Sequence, residues 1–540
     1  MKETFKKSIT FKSLIISLLL CLPFVANAQM CDLLKMSQGK LVLSRILYDS
    51  NDNLFGYFYL YELDAADKEK QNMEYVLLDK NLNKVNNGEF VIPKFKSFVN
   101  TSSFADCDLM DDKLVLTRNY GYFKMSQNPY YDTPTFLMSS FMFISLKDKS
   151  VSEEFTYKDG QMSKVQDVSQ IKSDNKKIVV KNVIHSYSNE QQSGFYLTNH
   201  SDSKDYMEKE ITFFDKEGKL RWKYEYNTNA SSNDYWLFSF ISLKGNNLYL
   251  SETRLVNREF NSYRIVKLDF QTGKKLYVYD MENPQSKYIH RVNAKEINGN
   301  LCLTGDYIAN PGSEGLSFRS KKILGLYRIV LDGAGKEIAN KHIPWSELSA
   351  FCSLTKKGCD KDGFFLRGCK YMMFADGTVS ILTDRFLPYK DGINVVIPPI
   401  SWVVYYATKK FSRTGDFVLL HFDKEFNPIQ ADTIQKEPSV LRDSYYDKSS
   451  DYLFSNYIHN DSAVVFFYEN HFKSSKTRND SIVLGINVLD KQKRTEEKIP
   501  IYAPNKYFIE VMPAKEGYIM LREYNKDEKH NQIRLEKLNY

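Results

Sequence analysis

The sequence predicts an all-β protein assembled from repeated small sheets, and three observations predict it. Eight times along the 540 residues a tight-turn signal containing Gly, Asn or Asp runs into a short apolar strand. The spacing averages about 70 residues, as expected of a repeat architecture. The apolar runs start at Leu41, Leu114, Ile178, Leu248, Leu301, Val379, Val464 and Tyr518. An aspartate-led hairpin turn accompanies most of them. The third observation is composition: 37 Tyr and 36 Phe against 4 Trp suit the pleated, half-buried surface of a sheet. A hydrophobic fraction of 42% excludes a disordered chain.

Residues 1–28 read as a secretory signal peptide. Lys2, Lys6, Lys7 and Lys12 form the basic start, Leu14 to Leu22 the apolar stretch, and Ala26-Asn27-Ala28 the small-residue cleavage site. Gln29 is then the first mature residue. The apolar stretch is too short to span a bilayer, which needs about 20 residues. Met30, ahead of Cys31, is too large for a lipoprotein signal. Cleavage removes four lysines and one glutamate, lowering the formal charge of +7 by three. So mild a charge, with no dense Lys/Arg cluster, does not point to nucleic acid. No later run is long and apolar enough to cross a membrane as a helix, so no transmembrane segment is expected after cleavage. Residues 29–540 are expected to form one closed domain.

The repeat is clearest at Ile211 to Gly218, followed by Leu220-Arg221-Trp222-Lys223-Tyr224-Glu225-Tyr226. Leu220, Trp222, Tyr224 and Tyr226 are expected on one face and the charged residues on the other, the period-two signature of a half-buried strand. Asp215 can bond the backbone ahead of it and Gly218 allows positive φ, so the segment between the strands is a hairpin turn. Related turns begin at Asp79, Asp148, Asp269, Asp332, Asp423 and Asp490. The last unit starts at Tyr518, ends near Leu538 and then runs out of chain. A ring closes if residues from about Gln29 to Met36 supply its missing strand.

This pattern resembles a β-propeller, and more closely the large secreted propellers of Gram-negative bacteria with no assigned activity. The resemblance covers nearly all of the mature chain but lacks the Trp-Asp and Gly-His signatures of common propeller repeats, so it is one of architecture only. It implies seven or eight blades closed by pairing of the N- and C-terminal strands. The alternative is tandem β-sandwiches.

Function usually lies where a repeat departs from itself. The largest departure is an irregular insertion around 343–412. It holds Cys352, Cys359 and Cys369; the six mature cysteines are an even count that permits disulfides in an exported chain, and one local bridge among these three is expected. Cys302, alternating with leucines, reads as a buried thiol. Asp360-Lys361-Asp362-Gly363 resembles half a calcium loop, but Phe364 to Gly368 supply no further ligand, so an ordinary turn is expected. The run Val395 to Tyr406 contains Trp402, Tyr405 and Tyr406, typical anchor residues of a contact surface. Tyr130 and Tyr131, flanked by Pro129 and Pro134, could stack on a sugar ring. Asp432-Thr433-Ile434, Asp461-Ser462-Ala463 and Asp480-Ser481-Ile482 resemble acceptors for O-linked glycans.

No catalytic signature is present. The eight histidines are scattered, without an H-E-x-x-H pair, and there is no nucleophile elbow or phosphate loop. No metal site and no cofactor are expected. The reading is an exported propeller that binds an envelope protein or a glycan. The alternative is a carbohydrate-active enzyme using two carboxylates in the central funnel. Ligand and oligomeric state are not legible.

Overall fold

The computed structural model describes residues 30–538, apart from 50–52, 96–99, 124–133, 159–160, 166–180, 189–192, 201–209, 228–230, 232, 258, 311–322, 357, 392–408, 443–449, 474–479, 491–492, 503–506 and 526. Its strands form eight antiparallel sheets, the blades of a propeller. Blade 1 runs from the innermost strand Lys40–Tyr48 through Leu54–Ala65 and Lys70–Asp79 to Lys84–Pro93. Blades 2, 3 and 4 begin with innermost strands Asn100–Met110, Lys181–Ser188 and Asp234–Lys244. In blade 5 the innermost strand is split into Tyr288–His290 and Asn293–Ile297, both paired with Asn300–Ala309. Blades 6 and 7 begin with Phe365–Met373 and Tyr452–Ile458.

Blade 8 takes three strands from the C-terminus, Phe508–Pro513, Tyr518–Asn525 and His530–Lys537, and its outermost strand, Met30–Asp32, from the N-terminus. Cys31 pairs with Ile533 in that closure. Leu33, just beyond it, is fully buried, and its carbonyl accepts a 2.9 Å hydrogen bond from the Tyr61 hydroxyl in blade 1. The blade number left open between seven and eight is therefore eight, and the expected terminal pairing is the one observed.

Eight separate hydrophobic clusters fill the eight seams between neighbouring blades, including the seam between blades 8 and 1 that completes the ring. A tandem pair of sandwiches would bury two cores, not a cycle of eight. The seams explain the apolar runs. The second strand of each blade is covered on both faces, so both parities of its side chains must be apolar. Leu248 and Leu250 enter the seam with blade 3, and Tyr249 between them enters the seam with blade 5. Six of the eight apolar runs open such second strands; the run at Leu41 lies in an innermost strand instead, and the run at Ile178 lies outside the described residues.

The aspartate turns join third to fourth strands. Asp215 accepts the amides of Glu217 and Lys219 at 3.1 and 2.8 Å, and Gly218 has φ 81°. Asp332 with Gly335 repeats this arrangement. Asp79 and Asp423 do as well, yet Leu82 and Phe426 occupy the left-handed position, at φ 63° and 60°. Both side chains are buried in seams, and that burial outweighs a backbone cost of about 1–2 kcal/mol. One detail departs from strict alternation. Leu220 is exposed, because a bulge at Arg221 separates it from the buried Trp222 and Tyr224.

The segment 343–412 mostly continues the ring. It contains Phe365–Met373, Val379–Asp391 and the start of Lys409–Phe422 in blade 6, plus a four-residue helix, Ser349–Cys352. Trp345 and Leu348 anchor the crossing from blade 5 to blade 6 in the seam between them.

Candidate functional site

The innermost strands surround the central channel, and their turns into the second strands all lie on one face of the disc. Five innermost strands, in blades 1, 2, 4, 6 and 7, carry a bulge. A bulge breaks alternation and re-aims the side chains next to it. In blade 6 the bulge falls at Cys369, beside Lys370.

Three consecutive innermost strands bring a lysine each towards this mouth: Lys244 in blade 4, Lys295 in blade 5 and Lys370 in blade 6. Lys295 reaches across blade 6. Its Nζ is 3.0 Å from the Asp461 carboxylate in blade 7, donates to the Met373 carbonyl at 3.1 Å, and lies 3.4 Å from the Tyr457 ring centre. The Tyr457 hydroxyl accepts the Met373 amide, and the Asp461 carbonyl accepts the Ala375 amide, so the turns of blades 6 and 7 are tied together beneath the lysines. The Asp461 turn holds three successive non-glycine residues in the left-handed region: His459 at φ 52°, Asn460 at 55° and Asp461 at 63°. Such backbone persists where surrounding contacts over-determine it.

Burial lowers the Lys295 ammonium, Asp461 opposes that shift, and repulsion from Lys244 and Lys370 adds to it. Burial alone lowers Lys370, which makes no hydrogen bond or ion pair with the described residues. Lys244 is exposed, as are Leu237 and Phe240 on the same innermost strand. Three ammonium groups thus stand near the Asp461 carboxylate, which pairs with Lys295. On the other side of the ring, inner-strand charges are paired: Arg45 with Asp106 at 2.7 Å and Glu510 with Arg522 at 3.4 Å.

The buried carboxylates on second strands are likewise occupied. Asp384 receives two bonds from Arg367, Glu252 binds Arg264 and the Tyr224 hydroxyl, and Asp306 binds Arg291 and the Tyr371 hydroxyl. Held this way they brace the ring and are not poised as an acid–base pair. The arrangement suits capture of an anion.

A second constellation lies in the seam of blades 4 and 5. Glu282, His290 and His342 form a chain walled by Tyr288, Tyr307 and Tyr327. Burial and His290 hold the His342 imidazole well below its usual value, at about 4, and burial raises the Glu282 carboxyl.

Tyr130, Tyr131, Trp402, Tyr405 and Tyr406 lie outside the described residues. The strands flanking them are the second and third of blades 2 and 6, whose ends meet at the face opposite the lysine mouth. Cys352, Cys359 and Cys369 are free thiols with different neighbours: the Leu348 carbonyl, the Thr355 hydroxyl and the Ser450 hydroxyl. They sit at a helix end, in a turn and at a bulge in a strand. Cys302 is buried. The Asp360 carboxylate caps its own turn, and Arg385 pairs with both Asp360 and Asp362. Sequence reasoning passed over Lys244, Lys295 and Lys370 because no two are near in sequence. The one available signal was a lysine in each of three successive innermost strands.

No curated protein matches the chain. Among solved structures, a europium-containing methanol dehydrogenase is similar at TM-score 0.36 and 8% identity, over 94% of this chain and 95% of that one. The WD40 domain of SCAP from fission yeast gives 0.34 and 7%, over 93% and 99%. The rhamnogalacturonan lyase YesW gives 0.33 and 10%, over 93% and 90%. Likenesses this distant lend the chain none of those activities. The sequence profile described as a family of unknown function (DUF6770) matches residues 137–539, and the chain belongs to that family.

Proposed function

We propose that this chain is an exported binding protein of the bacterial cell envelope, and that it takes an acidic glycan at the lysine-lined mouth of its channel. The observation that carries the reading is Lys370, a largely buried ammonium without a partner among the described residues, set beside Lys295 and Lys244. Burying a cation without compensation costs stability, so an unpaired one at a channel mouth is best explained by an anion that completes it. Exposed Phe240 and Leu237 offer an apolar surface to sugar rings whose carboxylates meet the lysines. Export rests on the signal-peptide pattern of residues 1–28.

Titration calorimetry with oligogalacturonate and with a neutral galactan tests the reading. Binding of the acidic oligomer alone, weakened by salt and about tenfold or more in Lys370→Gln, is the expected result. Equal affinity for the neutral polymer, or an unaffected Lys370→Gln with an unchanged melting point, overturns it. Fractionation of expressing cells tests the compartment, with the mature chain starting at Gln29 expected in the envelope.

A further inference from the structure

We propose that His290 and His342 form a binding site for a divalent transition-metal ion, with Glu282 behind it as the group that orients His290. The two imidazoles are 52 residues apart and meet only because the first and last strands of blade 5 share one face.

The geometry sets the tautomers. A single Glu282 oxygen accepts the His290 amide at 2.6 Å and faces His290 Nδ1 at 2.9 Å. The Nδ1 therefore carries the proton, and Nε2 is left with its lone pair. That lone pair faces Nε2 of His342 at 2.8 Å. Without an ion, His342 must donate Nε2–H to it. In the other neutral tautomer of His342, with its proton on Nδ1, two lone pairs converge on one point. Metal–nitrogen bonds of about 2.05 Å in a tetrahedral site place the two nitrogens about 3.3 Å apart. The opening needed is about half an ångström, and His342, on the blade's outer strand and only partly buried, can supply it.

The carboxylate–histidine–ion order is the one seen where an outer carboxylate fixes ring orientation and raises ligand basicity. Glu282 is 2% exposed, and its second oxygen has no hydrogen-bond partner among the described residues. The ring of Tyr327 sits 4.4 Å from His290, and those of Tyr307 and Tyr288 sit 4.9 and 5.2 Å from His342, so the imidazoles have little freedom to turn away. No group of three or more His, Cys, Asp or Glu among the described residues converges as a metal site. An ion held by two imidazoles therefore keeps positions open to water or to an outside donor. Imidazole donors favour Zn²⁺ and Cu²⁺, and Cu²⁺ should bind tighter.

The test uses the full mature chain, stripped with chelator, desalted and titrated separately with Zn²⁺ and Cu²⁺ at pH 7.5. Metal content after gel filtration is measured alongside. The proposal expects one ion per chain and coupling to two nitrogens in the Cu²⁺ paramagnetic resonance spectrum. His342→Ala should lose uptake while melting, in the metal-free state, close to the parent. Glu282→Gln should bind about 10–100-fold more weakly. His459→Ala, in an exposed turn away from the seam, should bind as the parent does. No uptake by the parent, undiminished uptake in His342→Ala, or a one-nitrogen spectrum overturns the proposal. Unchanged affinity in Glu282→Gln overturns the assigned role of the carboxylate.

Discussion

Ring closure by the N-terminus can be tested with two adjacent leucines. Leu33 is fully buried against blades 1 and 8, whereas Leu34 is 40% exposed. Leu33→Ala deletes three buried carbon atoms from a packed seam and should cost about 2–5 kcal/mol. Leu34→Ala should stay within about 0.5 kcal/mol. Unfolding entropy of about 2.1 cal/mol/K per residue gives roughly 1 kcal/mol per degree for a chain of this length. The melting midpoint of Leu33→Ala should then fall by about 2–5 °C and that of Leu34→Ala by less than one. The loss should also be local. Met30–Asp32 pairs with His530–Lys537, so amide exchange should quicken first in His530–Lys537 and in the facing strand Leu54–Ala65. Calorimetry and hydrogen exchange on the two variants provide both readouts. Equal effects at the two positions, or a Leu33→Ala protein with parental melting and exchange, would refute the argument that the N-terminal segment closes the ring.

Other outcomes follow from the same geometry. Asp384→Ala removes both bonds between Arg367 and this fully buried carboxylate and should cost about 3–5 kcal/mol in chemical denaturation, while Asp384→Leu with Arg367→Met should recover most of that. Phe426→Gly relieves about 1 kcal/mol of left-handed backbone strain but empties a seam site worth about 3–5 kcal/mol, so it should destabilise; a gain would show that the ring is not packed as described. Alkaline stability should fail between about pH 10 and 12. Burial pushes Tyr187, Tyr263, Tyr307, Tyr452 and Tyr457 each up to about 12, and further tyrosines rise as well. A folded pKa above the unfolded value gives stability that is complete below about pH 10 and lost as pH rises through the folded value. Absorbance at a phenolate wavelength should therefore rise abruptly with unfolding; smooth titration of every tyrosine near 10 without unfolding would contradict it.

What was legible in the sequence was what neighbouring residues decide among themselves. Asp215 finds its acceptor duties two and four residues ahead, so that turn could be read from five letters. The doubly apolar run at Leu248-Tyr249-Leu250 announces a strand covered on both faces, though not what covers it. Even local reading failed where a bulge intervened, since Leu220 and Trp222 keep their spacing but not their face. The candidate sites lay beyond such rules. Lys244, Lys295 and Lys370 become neighbours because three innermost strands line one channel, and His290 meets His342 because one blade folds its first and last strands over a common face. The sequence by itself determined the strands, their turns and the shared architecture, because those rest on interactions a few residues long. Only the tertiary structure decided the number of blades and which charges stand together, because these depend on distances between segments that the chain brings near only when the ring is complete.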